Sequence, residues 1–274
     1  DVIGDALARW PVDLVHLHGV DFHAYLPPPG VPVLATLHLP LAWYPDGALR
    51  PQRPDTWLHA VSAAQRRAGP CDLHLLPDIP NGVDLPNAPA PHARRRFALA
   101  LGRICPEKGF HLALEAAGRA QTSLLLGGSV FPYETHERHF RDEILPRLDR
   151  RRRFLGPVGL ARKRRLLAAA RCLLVPSLVA ETGSLVAMEA LASGTPVIAF
   201  PNGALADVVE HGRTGFLVRD VGEMAEAIGM ADRIDPEACR EAARRRFPAE
   251  RMVNRYLALY HELTGGHGRQ RRVA

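Results

Sequence analysis

Two carboxylates, Glu181 and Glu189, bracket a turn of small residues and the start of an apolar segment in LVAETGSLVAMEALASGTPVIAF, residues 178–200. A carboxylate just ahead of a helix stabilises the positive end of the helix dipole, so Glu181 has a structural role open to it as well as a place facing a site. Glu189 stands among apolar residues, where a carboxylate needs partners. Gly183 and Ser184 fall at the expected helix start, with Ser184 as the cap. The first amides of that helix, around Gly183, Ser184 and Leu185, are then available to an anion. Upstream, LGRICPEKG places Arg103 and Lys108 in a loop between a strand end and a helix start. Two cations there suit a diphosphate, the guanidinium forking onto oxygens and the ammonium acting as a point charge. The same loop also reads as an ordinary solvated connection.

The elements that must position these residues alternate regularly from residue 93 onward. RFALALG, TSLLLGG, RRFLGPV, CLLVPS, TPVIAF and GFLV are short apolar runs. Between them lie the helical patterns FHLALEAAGRA, ETHERHFRDEILPRL, ARKRRLLAAA, SLVAMEALASG, ALADVVEHG and GEMAEAIGMADRI. Strand and helix in alternation predict an α/β fold with a doubly wound parallel sheet, whose ligands sit at the carboxyl ends of the strands. Before residue 93, DLVHLHG, PVLATLH, WLHAVS and LHLLPDIPNGVD read as strands with their exits. His16 and His18 on the first of these are expected to face apart. The expected organisation is a first domain at 1–92, a doubly wound second domain at 93–245 and a helix at 246–264 returning towards the first domain. A basic tail follows at 265–274. Residues 81–93, rich in proline, alanine and asparagine, read as a linker between domains.

Bulk composition narrows the classes. The chain has 274 residues, 47% hydrophobic and 23% charged, ordinary for a globular protein with a sizeable core. No apolar run is long enough for a membrane span. The net charge of +6 is carried mostly by arginine clusters, which fit solvated helix faces better than a nucleic-acid surface, since no aromatic interleaving or nucleic-acid module accompanies them. A peripheral contact with an anionic membrane face remains open. The four cysteines are widely spaced, which argues against a zinc ribbon or a disulfide framework; free thiols fit a reducing cytoplasm.

GRICPEKG, FLGPV, LLVPS, ETGSLVAMEALASGTPVIAF and VVEHGRTGFLV, in that order, resemble the carboxyl-terminal half of a retaining glycosyltransferase of family 4 with the GT-B fold, over residues 95–262. The resemblance implies two Rossmann-like domains facing a cleft: a shortened, incomplete acceptor-side domain at 1–92 and a nucleotide-sugar-binding domain at 93–245. It implies transfer of a hexosyl unit from a nucleotide-diphosphate sugar to an acceptor hydroxyl, with retention, and with no cofactor and no metal. Arg103 and Lys108 match the pair that holds the donor diphosphate. Glu181 matches the glutamate that contacts the donor sugar near the reacting carbon, and Glu189 the one that accepts from the nucleotide ribose. Gly183, Ser184 and Leu185 match the phosphate-binding helix start, and Val158 the backbone contact to the base. His38 matches a histidine that reaches the donor sugar. One departure is that Gly183 comes a place early, leaving Ser184 where the family usually has glycine.

The family's first domain normally opens with a strand, a glycine-rich loop and a long helix; the sequence starting at Asp1 is without them, as expected of either a truncated chain or a compact variant. An incomplete parallel sheet exposes an apolar edge, so a partner chain, a self-associated form or poor solubility is expected. Two other functions fit the same residues: a catalytically degenerate subunit that binds a nucleotide-sugar, and a nucleotide-sugar epimerase on the same fold.

Overall fold

The computed structural model describes residues 2–85 and 96–265. Most of the expected linker and nearly all of the expected basic tail lie outside the described residues. The chain divides into two compact units, Asp1–Asn81 with Glu250–Ala274, and Gly82–Ala249. Val83 already belongs to the second unit because its amide donates to the Phe247 carbonyl at 2.9 Å and its carbonyl accepts from Ala249 at 3.1 Å.

The first unit runs α1 (Val2–Arg9), β1 (Val15–Leu17), β2 (Val33–Leu37), β3 (Thr56–Ala60) and α2 (Ala63–Arg67). Its three strands form a parallel sheet in the order β1-β2-β3. Every residue of the central strand β2 is buried, the pattern of a parallel strand covered on both faces. Ala35 and Leu37 pack with Phe22, Leu41, Tyr44 and Leu58. Leu34, on the opposite face, packs with Ile79 and with Leu259 and Leu263 of the C-terminal helix α10 (Ala249–Gly265). The stretch read as a fourth strand, LHLLPDIPNGVD, makes only isolated parallel bridges, His59↔Leu76 and Val83↔Pro248. Pro77 and Pro80 lack the amides that a longer ladder needs.

The second unit begins with β4 (Phe97–Leu101), α3 (Phe110–Arg119), β5 (Ser123–Gly127), α4 (Glu134–His139), β6 (Arg152–Phe154), α5 (Leu160–Ala169) and β7 (Cys172–Val175). It continues with α6 (Leu185–Ala192), β8 (Val197–Ala199), α7 (Leu205–Val208), β9 (Gly215–Leu217), α8 (Val221–Met230) and α9 (Pro236–Arg246). Its six parallel strands take the order β6-β5-β4-β7-β8-β9. The order reverses between β4 and β7, the switch point beside which ligands of such sheets sit. The core is built from the apolar runs of β4, β7 and β8 with α3, α6 and α8.

The segment read as one helix over ETHERHFRDEILPRL changes winding instead. α4 passes into a π-helical stretch, Phe140–Ile144, and then a 3-10 turn, Leu145–Arg147. Pro146 cannot continue an α-helical ladder, and Ile144 is fully buried. α9 was not anticipated, although its start is written in the sequence: Asp235 accepts from the Glu237 amide at 2.9 Å ahead of Pro236, a capping residue followed by proline at the first helical position.

Candidate functional site

The loops after β4 and β7 meet at the switch point. After β4 the chain makes a 3-10 turn, Pro106–Lys108, and enters α3 through Gly109 at φ 62°. A Cβ on Gly109 would stand 2.2 Å from the Pro176 carbonyl oxygen, so a glycine is needed both for the left-handed backbone and for the close approach. The Leu178 amide donates to the Glu107 carbonyl at 2.8 Å, which ties the second loop to the first.

Lys108 and Glu181 are brought together by this clasp. Lys108 Nζ donates to Glu181 Oε1 at 2.5 Å, with Glu181 11% exposed at its side chain. The hydroxyl of buried Ser177 donates to the same oxygen. Glu181 is fixed at its backbone as well: its carbonyl accepts from Ala204 at 2.7 Å and its amide donates to Asn202 at 3.3 Å. Asn202 in turn donates its side-chain amide to the Ser177 carbonyl at 2.6 Å. Such second contacts hold a charged group in one geometry.

Glu189 has the partner its apolar surroundings demanded. Lys163, from α5, donates to Glu189 Oε1 at 2.6 Å, with both side chains about one quarter exposed. Ser184 is buried and stands at the cap position of α6, but its side chain makes no capping hydrogen bond. Gly183 precedes it partly exposed, and Leu185 opens the helix 48% exposed. Arg103 is exposed, with no ion pair within 4.0 Å among the described residues. Val158 packs beside Gly127, where an added Cβ would lie 2.7 Å from the valine Cγ2. Ser177, Asn202 and Lys163 were missed in the sequence, because nothing in their spacing says that they meet Glu181 and Glu189.

In the first unit, His38 Nε2 lies 2.9 Å from His18 Nδ1, with the rings stacked. Burial, then the neighbouring His18, holds the His38 imidazole below its ordinary pKa. The expectation that His16 and His18 face apart is corrected: their ring centroids are 4.0 Å apart. Residues two apart on a strand share a face, and β1 ends at Leu17, just before His18.

Behind them runs a chain of hydrogen bonds whose protons can be assigned. His59 Nδ1 lies 3.0 Å from the Ala60 carbonyl and must donate to it, so Nε2 accepts from the Thr36 hydroxyl at 2.7 Å. Thr36 then accepts from His16 Nε2 at 2.6 Å, and His16 Nδ1 accepts from the Tyr260 hydroxyl at 2.6 Å. Both imidazoles are neutral in this arrangement. Burial, followed by the neighbouring histidines, lowers His16 to about 3. Burial, opposed by the Ala60 bond, lowers His59 to about 4.

A third group gathers at the β4 loop. Cys105, Glu107 and His136 bring ligand-type atoms within 4.8 Å of one another. Burial, then Glu107, pushes the Cys105 thiol up to about 11. Spacing along the chain does not reveal this group, because His136 comes from a different element.

Residues 95–231 match the family model described as Glycosyl transferases group 1. The chain belongs to this family. Among curated members of the wider group, it is 35% identical over 150 residues to a D-inositol 3-phosphate glycosyltransferase of Corynebacterium glutamicum (strain R), covering 51% of this chain and 35% of that protein. It is 33% identical over 179 residues to a Mycobacterium tuberculosis glycogen synthase, covering 61% of this chain and 42% of that protein. The match thus spans less than half the length of these relatives. Among solved structures, AviGT4, a glycosyltransferase involved in avilamycin A biosynthesis, superposes with a TM-score of 0.74 at 27% identity, over 96% of this chain and 78% of that one. Anabaena HepE, solved with UDP and glucose, superposes with a TM-score of 0.75 at 22% identity, over 91% and 78% of the two chains. The fold is that of the GT-B glycosyltransferases, with two Rossmann-like parallel-sheet units, the first the smaller.

Proposed function

We propose that this group 1 glycosyl transferase moves a hexosyl unit from a nucleotide-diphosphate sugar to an acceptor hydroxyl with retention at the anomeric carbon and without a catalytic metal. The observation that carries the reading is the Lys108–Glu181 pair, locked by Ser177 and Asn202 at the switch point. A cation beside the first turn of α6 forms a positive ledge for a diphosphate. Arg103, exposed on the same loop as Lys108, adds a second charge. As the glycosidic bond to the diphosphate breaks, negative charge grows on the leaving oxygen. Preorganised cations and helix-start amides stabilise that charge most where water is excluded. Glu181 sits beside the ammonium, positioned to meet the sugar carried by the diphosphate. Glu189, oriented by Lys163, serves the ribose hydroxyls. The departing phosphate oxygen takes the acceptor proton, so the new bond forms on the face the leaving group vacates. Val158, Gly183, Ser184 and Leu185 complete the donor contacts in this reading, and His38 serves the sugar as a neutral imidazole.

The test is incubation with uridine, guanosine and adenosine diphosphate sugars, with and without simple hydroxyl acceptors, while following free nucleoside diphosphate. Release with a glycosylated product supports a transferase. A changed sugar on the same nucleotide identifies an epimerase, and binding without turnover identifies a degenerate subunit. Glu181→Gln is expected to lower turnover at least a hundredfold while nucleotide binding persists; unchanged turnover removes Glu181 from the site.

A further inference from the structure

The third cluster is independent of the donor pairs. Cys105 is buried at the cap of the 3-10 turn and Glu107 stands within that turn. His136 arrives from α4, which packs against the turn. The His136 ring lies edge-on to Tyr133 at 5.1 Å, and its backbone amide donates to the Tyr133 carbonyl at 2.9 Å. Its Nδ1 is shut off from solvent and has no hydrogen-bond partner among the described residues. A buried polar atom in that condition is costly unless it gains a partner. His111 Nδ1 and His139 Nε2 share the condition, and these two rings meet edge to face at 5.4 Å. Of these histidines only His136 has a ligand-type atom within 4.8 Å of the Cys105 thiol and the Glu107 carboxylate.

We propose that Cys105, Glu107 and His136 form a binding site for a divalent cation of the zinc class. One sulfur, one nitrogen and one oxygen ligand suit zinc, a borderline-soft ion that accepts thiolate, imidazole and carboxylate together, and three protein ligands leave a fourth position for water. Bond lengths of about 2.0–2.3 Å put the ligand atoms of a tetrahedral site about 3–4 Å apart. The observed spread, within 4.8 Å, closes to that by side-chain rotation. On binding, the Cys105 thiol gives its proton to solvent and the thiolate pair goes to the metal. The ion takes no part in sugar transfer. It fastens the loop that carries Arg103 and Lys108 to α4, because two of its ligands stand between those cations in sequence.

The test is titration of the full chain with cobalt(II), whose bond to thiolate gives a near-ultraviolet charge-transfer band, followed by displacement with zinc. A band saturating at one equivalent is expected. It is lost in Cys105→Ser, and its apparent affinity falls at least tenfold in His136→Ala. It survives in Cys71→Ser, whose thiol is exposed. Circular dichroism establishes that each variant is folded, and the partly exposed His136 position carries the test if Cys105→Ser does not fold. Absence of a thiolate band in the wild type, or a band indifferent to His136→Ala, overturns the proposal. No nucleotide-sugar enters the measurement, so its failure leaves the transferase reading standing.

Discussion

At the scale of single residues, the two glutamates of the opening motif are held by different lysines, and the pairs are expected to fail differently. Lys163 contacts Glu189 and not Glu181. Lys163→Met therefore frees the group assigned to the ribose, and nucleoside diphosphate affinity should fall roughly tenfold, about 1.4 kcal/mol. Calorimetric titration checks this, and kcat should change less than affinity. Gly109 offers a prediction about stability. Its backbone is left-handed, and a Cβ would collide with the Pro176 carbonyl. Gly109→Ala should destabilise the fold by about 1–3 kcal/mol, seen as a lower denaturant midpoint, and should loosen the clasp that sets Lys108 against Glu181.

At the scale of elements, the contact of α10 with the first sheet is polar at its centre. Thr36 links His16 and His59, and His16 accepts from Tyr260 of α10. Thr36→Val keeps the shape of the strand but leaves buried imidazole nitrogens unpaired, so a loss of about 1–3 kcal/mol is expected in denaturant unfolding. The same chain gives a pH dependence. In the unfolded chain both imidazoles titrate near 6.5; folded, His16 is lowered to about 3 and His59 to about 4. Between these values the unfolded state binds more protons, so their contribution to stability is complete above about pH 6.5 and declines as pH falls through 6 and 5. His18 and His38 are shifted in the same direction. The unfolding midpoint should be lower at pH 5 than at pH 7.5, a window above the range of ordinary carboxylates. An unchanged midpoint would mean that these imidazoles charge freely in the folded protein.

At the scale of the whole molecule, each unit has its own sheet and its own buried cluster, and the residues proposed to hold the donor, Arg103, Lys108, Glu181 and Glu189, all lie in the second. A nucleoside diphosphate should therefore raise the melting temperature of that unit, by an amount equivalent to about 2.7 kcal/mol at a hundredfold excess over Kd. Calorimetry with uridine, guanosine and adenosine diphosphates should give the largest shift for the donor's own base. No shift with any of them would remove the donor site. No described helix is long and apolar enough to cross a membrane.

The central strands of the second unit, such as β7 and β8, were legible because parallel strands buried on both faces are written as short continuous hydrophobic segments, which their length and flanking turn residues separate from helices. Its charged loop and its Glu181–Glu189 segment were legible for the same kind of reason, each being local in sequence. The change of winding after α4 was not, since only the burial of Ile144 and the position of Pro146 in a packed helix make it necessary. Nor was the company each functional group keeps. Lys163 with Glu189, Ser177 with Glu181, Thr36 between two imidazoles, and His136 beside Cys105 are contacts between residues far apart in the chain. Composition and spacing act along the chain, whereas these pairings arise only once sheet order and helix packing bring distant side chains within hydrogen-bonding reach.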